Sequence, residues 1–162
     1  MLSNAEKESY RNIVANYCCV IEKSYEAPEK ALLVIRPALI ELYVASLNLP
    51  AIPDPTDEDL PERISSEEYG RIKKKIGAYT REDSFWVCDY PFNSAPKPLC
   101  TSLSDGLADI WRDLKRGLLA LDADEQRYSA AVFWDWRFSF DTHWGDHAVD
   151  SIWGIHALLK NT

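Results

Sequence analysis

Two stretches in the second half of the chain decide the fold: SLSDGLADIWRDLKRGLLAL at residues 102–121 and WDWRFSFDTHWGDHAVDSIWGIHALL at residues 134–159. In the first stretch, apolar residues recur every three or four positions and charged residues fill the opposite face. This spacing is typical of an amphipathic α-helix. Ser102, followed three residues later by Asp105, indicates an N-cap of the capping-box type. We therefore expect a helix that begins directly after Ser102.

The second stretch carries a stripe of seven-residue period, which is apolar except at Asp141 and Gly145. Its members are Trp134, Phe138, Asp141, Gly145, Ala148, Ile152, Ile155 and Leu159. Aromatic residues, Trp144 among them, also cover the other faces. A helix that is apolar nearly all round is a buried one, so we expect this segment to be the central element of the fold.

The boundaries of this segment leave two alternatives open. One long helix could run from about Asp124 to Lys160, or two helices could meet at Asp141 and Thr142, with Thr142 as the cap of the second. Arg137 lies four residues before Asp141, which predicts an ion pair that fixes the local structure. Gly145 within the stripe indicates close approach by a neighbouring helix.

The first half of the chain predicts three further helices. The first runs from a cap at Ser3 or Asn4 to about residue 25, and the second from Pro28 to about residue 49. Pro37 lies inside the second helix, where we expect a kink or a break between Leu33 and Pro37. The third helix covers about residues 65–79, with Ser65 or Ser66 as its cap.

Two irregular segments separate these helices. Residues 50–64 form an acidic, proline-rich loop, and residues 84–101 form an aromatic extended loop, in which residues 85–92 are at most a lone edge strand. Together the patterns predict an all-α fold. We expect one domain over residues 1–162, built as a compact bundle of five to six helices around the aromatic C-terminal helix or helical pair.

Composition narrows the possible functions. The chain has 162 residues, 46% of them hydrophobic and 12% aromatic, and a net charge of −8. Such a chain can bury a core, and its negative charge disfavours nucleic acid as a partner. No apolar run is long enough to span a bilayer and the N-terminus lacks a secretory signal, so we expect a cytoplasmic protein. The cysteines follow no metal-binding or disulfide pattern; they are Cys18, Cys19, Cys88 and Cys100.

The same C-terminal region carries a family resemblance. Residues 103–118 and 136–150, together with Leu42-Tyr43 and Leu49-Pro50, resemble the bacterial domain-of-unknown-function family numbered 5063. The resemblance implies an all-helical cytoplasmic protein of bacteria. The family has no established activity, so the resemblance supplies no catalytic residue.

One constellation indicates a metal. His143, His147 and Asp150 are spaced so that a regular helix presents them on one face, and imidazole and carboxylate groups are ligands of divalent cations. Further ligands would have to come from other helices, with Asp109, Asp113 and Glu41 as candidates. Against a metal, the sequence has no His-Glu-x-x-His or Glu-x-x-His motif. The alternative is that these histidines have structural or surface roles.

A non-enzymatic role is the other prediction. Acidic residues crowd between residues 54 and 68, where seven of them oppose one arginine and give a local net charge of −6. Such a surface suits a protein partner with a basic surface, as an immunity-type or regulatory protein would bind. The residues expected at this interface are Asp54, Asp57, Glu58, Asp59 and Trp86. From sequence, this cytoplasmic interaction protein ranks narrowly ahead of a metal-dependent, hydrolase-like protein that uses His143, His147 and Asp150.

Overall fold

The computed structural model describes residues 2–55, 60, 64–80, 83–89, 95 and 97–160. The helices are α1 (Asn4–Glu22), α2 (Pro28–Leu47), α3 (Ser66–Gly77), α4 (Leu103–Ser139) and α5 (Gly145–Lys160), with a π-helical turn (Phe140–Trp144) between the last two. Two strands, β1 (Ser84–Asp89) and β2 (Lys97–Ser102), precede α4. The protein is therefore mostly helical, as the all-α prediction required, but it also contains a small sheet.

The predicted N-caps lie where local chemistry places them. Ser3 forms a capping box with Glu6 at the start of α1, and Ser65 accepts a hydrogen bond from Glu68 N at the start of α3. Ser102 accepts one from Asp105 N at the start of α4. Each side chain satisfies a backbone N–H that has no partner within its helix.

Of the predicted kink or break in the second helix, the break is absent, because α2 continues through Pro37. Proline removes the hydrogen bond that would reach the carbonyl of Leu33. Both Pro37 and Leu33 lie on the exposed face of α2. Water can solvate a carbonyl on that face, so the helix persists.

The prediction of a lone strand is also wrong. β1 pairs with β2 in antiparallel register, from Ser84 opposite Ser102 to Asp89 opposite Lys97. The sequence of β2, KPLCTS, has proline at its second position and no alternation of apolar and polar residues. An edge position tolerates proline because the missing N–H is not needed by a further strand.

α4 is not straight, because the chain reverses at Asp124. The backbone there is non-helical (φ −161°, ψ 93°), and Asp124 Oδ1 accepts a hydrogen bond from Arg127 N at 3.1 Å, as an N-cap does. Trp136 Nε1 donates to Leu114 O at 3.3 Å, whereas 22 residues of straight helix would span about 33 Å. Residues 103–123 and 125–139 are thus two antiparallel arms, called the N-terminal and C-terminal arms of α4.

From Asp124 the chain is helical to Lys160, in accordance with the first of the two alternatives. The π-helical turn interrupts it without a loop, and Gly145 N donates to Phe140 O across that turn. Thr142 does not cap a new helix, because its hydroxyl donates to Phe138 O at 2.8 Å. The predicted five to six separate helices are therefore confirmed only in part.

The core lies around the N-terminal arm of α4, and Trp111, Trp136 and Trp144 are its largest fully buried side chains. The predicted stripe is more buried after the π-helical turn than before it, since Gly145, Ala148 and Ile155 are buried and Ile152 and Leu159 are partly buried. Before it, Phe138 is 51% exposed and Trp134 is half-buried. A π-helical turn inserts one residue, so the phase of the buried face shifts there. Within the described residues, no helix is long and apolar enough to cross a membrane.

Candidate functional site

The polar face of the N-terminal arm of α4 is covered by other helices. From sequence, Asp109 and Asp113 are most simply a solvated pair balanced by arginines. In the structure their side chains are only 13% and 19% exposed. Buried carboxylates require charged or hydrogen-bonding partners, so this face holds an organised site rather than a solvated surface.

Close helix packing brings two histidines to this face. A Cβ at Gly106 would lie 3.1 Å from Ser151 Oγ and 3.7 Å from His147 Cβ, so glycine allows α5 to approach α4 closely. Because the two segments run antiparallel, His143 lies beside Asp113 and His147 lies beside Asp109. The reversal at Asp124 therefore creates the site.

Asp109, His143 and His147 form a compact triad. One ligand atom from each residue lies within 4.8 Å of the ligand atoms of the other two. Asp109 Oδ2 is 3.8 Å from His147 Nε2, and the two imidazole rings are 4.9 Å apart between centroids, at 90° to each other. Three convergent donors of this kind are arranged around one small volume.

The spacing suits a metal better than a direct hydrogen bond. A separation of 3.8 Å exceeds the range of a hydrogen bond. Ligand atoms about 2.0–2.1 Å from a tetrahedral zinc ion are roughly 3.4 Å apart. The ligand atoms of the triad, which lie within 4.8 Å of one another, would have to move closer together to reach that geometry. Three protein ligands would leave a further position open, as in zinc sites that perform catalysis.

Neighbouring side chains orient these donors. Asp113 Oδ2 lies 2.7 Å from His143 Nδ1, which favours protonation of Nδ1 and leaves Nε2 with a free lone pair. Arg112 Nη2 holds Asp109 Oδ1 at 2.7 Å, so the other carboxylate oxygen faces His147. The Arg112 guanidinium also lies 4.9 Å from the centre of the Tyr69 ring. The triad is therefore supported by a second layer of contacts.

Helix α3 completes this support through Asp105. Tyr69 OH donates to Asp105 Oδ1 at 2.8 Å, and Lys73 Nζ contacts the same oxygen. Burial alone would raise the pKa of Asp105, but the hydrogen bonds from Lys73 and Tyr69 outweigh it and the pKa is lowered. Burial and the Asp105 hydrogen bond raise the pKa of Tyr69. Asp105 thus remains a charged anchor between α3 and α4.

The structure does not bring Asp150 into the triad. Asp150 lies half-buried on α5, where burial raises the pKa of its carboxyl and the nearby His147 opposes that rise. The third donor is Asp109, which the sequence suggested only as one of three possibilities. Glu41 is exposed on α2, and the remaining histidine, His156, is exposed on α5. The spacing argument failed for Asp150 because a shared helix face does not bring side chains to one point. Asp150 lies seven residues after His143, about 10 Å along a helix axis.

A cavity of about 390 Å³ adjoins the triad and shares His143 with it. Arg116 lines its wall, and the buried Nε of this side chain has no hydrogen-bond partner in the part of the chain that the structure describes. Asp135 lies in the same wall, where burial raises the pKa of its carboxyl and the Arg116 charge opposes the rise. Sequence reasoning missed both residues, since neither belongs to a motif.

Of the residues predicted to bind a protein partner, the structure describes Asp54 and Trp86. Asp54 is exposed in the segment after α2, and Trp86 is 67% exposed on β1. Asp57, Glu58 and Asp59 fall outside the residues that the structure describes. The structure therefore gives the geometry of only two of these five residues.

The predicted ion pair between Arg137 and Asp141 is present, with Nε 2.9 Å from Oδ2. Arg137 Nη1 also donates to the carbonyls of Ser46 and Leu49, at 2.9 Å and 3.0 Å. Arg137 therefore caps the C-terminal end of α2, a role that the sequence did not predict. A Cβ at Gly145 would lie 2.4 Å from Phe140 O, so the close approach there is within the π-helical turn and not to a neighbouring helix.

Fold and site define a mostly helical protein with a carboxylate–histidine cluster between α4 and the segment that follows it. The chain belongs to the family described as Domain of unknown function (DUF5063), whose model matches residues 4–161. This confirms the resemblance found in the sequence. Among curated proteins, none matches the sequence.

A solved structure shares the fold. It is the crystal structure of protein BF1032 from Bacteroides fragilis, similar with a TM-score of 0.79 over 94% of this chain and 93% of that chain. The two sequences are 18% identical. At this identity the similarity establishes a common fold alone.

Proposed function

We propose that the protein binds one divalent transition-metal ion through Asp109, His143 and His147. The open coordination position would then hold a water molecule and activate it for reaction with a substrate. The observation that carries this proposal is the convergence of the three ligand atoms within 4.8 Å of one another. Two nitrogen donors and one oxygen donor suit Zn²⁺, Mn²⁺ or Fe²⁺. A metal ion held by these residues would lower the pKa of a bound water and supply a nucleophile.

Two further features support a metal over an isolated structural cluster. The residues that contact the triad hold its donors in orientations that leave Asp109 Oδ2 and His143 Nε2 available. His143 of the triad also lines a cavity large enough for a small substrate. This reverses the ranking from sequence, in which the interaction role came narrowly first.

The test is direct titration of the untagged protein, after treatment with a chelator, with Zn²⁺ and with Mn²⁺ in a calorimeter. We expect one ion per chain. His147→Ala should weaken binding by at least about tenfold, because one of three protein ligands is lost.

His156→Ala is the matched control, because His156 is an exposed histidine on the same helix outside the triad. The His156→Ala variant should bind the metal ion with the same affinity as the unaltered protein. An absence of stoichiometric binding, or equal weakening in the two variants, would reject the proposed metal centre.

A protein partner with a basic surface is a second proposal, favoured by the 67% exposure of Trp86 on β1. Exposed tryptophans are frequent anchors of protein interfaces. A pull-down from the native host should recover a basic protein in a salt-sensitive manner, and Trp86→Ser should weaken that recovery. Recovery that is insensitive to both salt and this substitution would count against the proposal.

A further inference from the structure

The cavity beside the triad has the size of a small-molecule site. Its volume of about 390 Å³ lies within the roughly 300–1,000 Å³ typical of ligand pockets. Polar side chains from both sides of the antiparallel pair line it, namely Arg112, Asp113, Arg116, Asp135, Ser139 and His143. Because His143 is also a member of the triad, a ligand in this cavity would lie next to the metal.

Most polar groups in this wall are already engaged. Arg112 contacts Asp109 and Asp113, and Ser139 Oγ donates to Asp135 O at 2.6 Å. Arg116 is different, because its buried Nε–H meets no acceptor among the described residues. A buried donor without an acceptor is costly in a folded protein. The Nε–H itself has no accessible surface, so an anion in the cavity would meet the part of the Arg116 side chain that lines the wall.

Charge makes the site conditional on the metal. Asp113 and Asp135 oppose Arg112 and Arg116 in the cavity wall, and Asp109 of the triad brings the formal charge of cavity and triad together to −1 when the histidines are neutral. A divalent cation on the triad would change this to +1. An anion is therefore repelled from the empty site and attracted to the loaded one.

We propose that this cavity binds the phosphoryl group of a small phosphorylated molecule, held by Arg116 on one side and by the metal on the other. The planar guanidinium of arginine matches the oxygens of a phosphoryl group through parallel N–H donors. The inference rests on the proposed metal centre. It gives that centre its substrate class.

The experiment uses the Mn²⁺-loaded protein and inorganic phosphate as the probe. The phosphorus NMR signal of phosphate should broaden when it binds next to the paramagnetic ion, and broadening against phosphate concentration gives the affinity. We expect saturable binding to the Mn²⁺-loaded protein. Equilibrium dialysis with labelled phosphate, which needs no paramagnetic ion, should show no binding to the metal-free protein. Arg116→Gln should weaken phosphate binding at least about tenfold while Mn²⁺ affinity stays unchanged.

Arg11→Gln is the matched control, because Arg11 forms ion pairs with Asp122 and Glu125 outside the cavity. It should bind phosphate as the unaltered protein does. Equal weakening in the two arginine variants, or acetate binding as tightly as phosphate, would overturn the assignment. If Mn²⁺ binds but phosphate does not, the inference alone fails. If no metal binds, the metal centre fails first and the inference with it.

Discussion

At the scale of single residues, Asp83 shows how one carboxylate fixes the start of the site-bearing helix. Its oxygens accept hydrogen bonds from Ser102 Oγ at 2.5 Å, from Ser104 N at 2.8 Å and from Thr80 Oγ1 at 3.1 Å. Burial alone would raise the pKa of Asp83, but these hydrogen bonds outweigh burial, and the pKa lies below its ordinary value. The ionised form therefore stabilises the fold.

This arrangement predicts a pH-dependent loss in Asp83→Asn. A lowered pKa gives stability that is present above the unfolded value of about 3.9 and is lost as pH falls through the folded value. Urea unfolding at pH 7 should show a loss of about 1–3 kcal/mol, as for hydrogen bonds to a charged group. At pH 3 the difference from the unaltered protein should be smaller. Asp54→Asn, in an exposed segment, should change little; an equal loss at both pH values in Asp83→Asn would contradict this account.

At the scale of elements, the π-helical turn determines which side chains reach the site. His143 lies inside the turn, and His147 lies in the first turn of α5, directly after it. Gly145 closes the turn, because its N–H donates to Phe140 O and a Cβ there would lie 2.4 Å from that oxygen. A side chain at position 145 must therefore displace the turn.

Gly145→Ala should accordingly destabilise the protein by about 1–3 kcal/mol, the usual cost of forcing atoms into a packed site. It should also weaken metal binding, because the two histidines would shift relative to each other. Gly70→Ala on α3 is the control, since nothing lies within 4 Å of a Cβ there, and it should stabilise by roughly 0.5–1 kcal/mol. Urea unfolding and metal titration measure both effects. A Gly145→Ala protein that matches the original in both would refute the role of the turn.

The π-helical turn also marks the limit of what could be predicted from the sequence. Caps such as Ser102 and the helix start near Asp124 depend on local chemistry, which a sequence displays. A sequence does not display the phase shift at the π-helical turn, because a periodicity analysis assumes a constant rotation per residue. Asp109 could be found only as one of three candidates, since its partner histidines are more than thirty residues away. That Arg116 Nε lacks an acceptor among the described residues could be seen only in the packed structure.

At the scale of the whole molecule, the proposed metal would join distant parts of one helical unit. Asp109 lies in the N-terminal arm of α4, and His143 and His147 follow after the chain has reversed at Asp124. The unfolded chain does not hold these groups together. A metal should therefore bind the native state in preference and raise its stability through mass action.

Thermal unfolding should show this coupling. With free Zn²⁺ at about one hundred times its dissociation constant, the native state gains about 2.7 kcal/mol. For a domain of this size, that gain corresponds to a rise in Tm of roughly 5–11 °C. A chelator should abolish the rise, His147→Ala should lack it, and His156→Ala should retain it. A full rise in His147→Ala would place the ion elsewhere on this acidic chain, because the triad would then contribute nothing to the coupling.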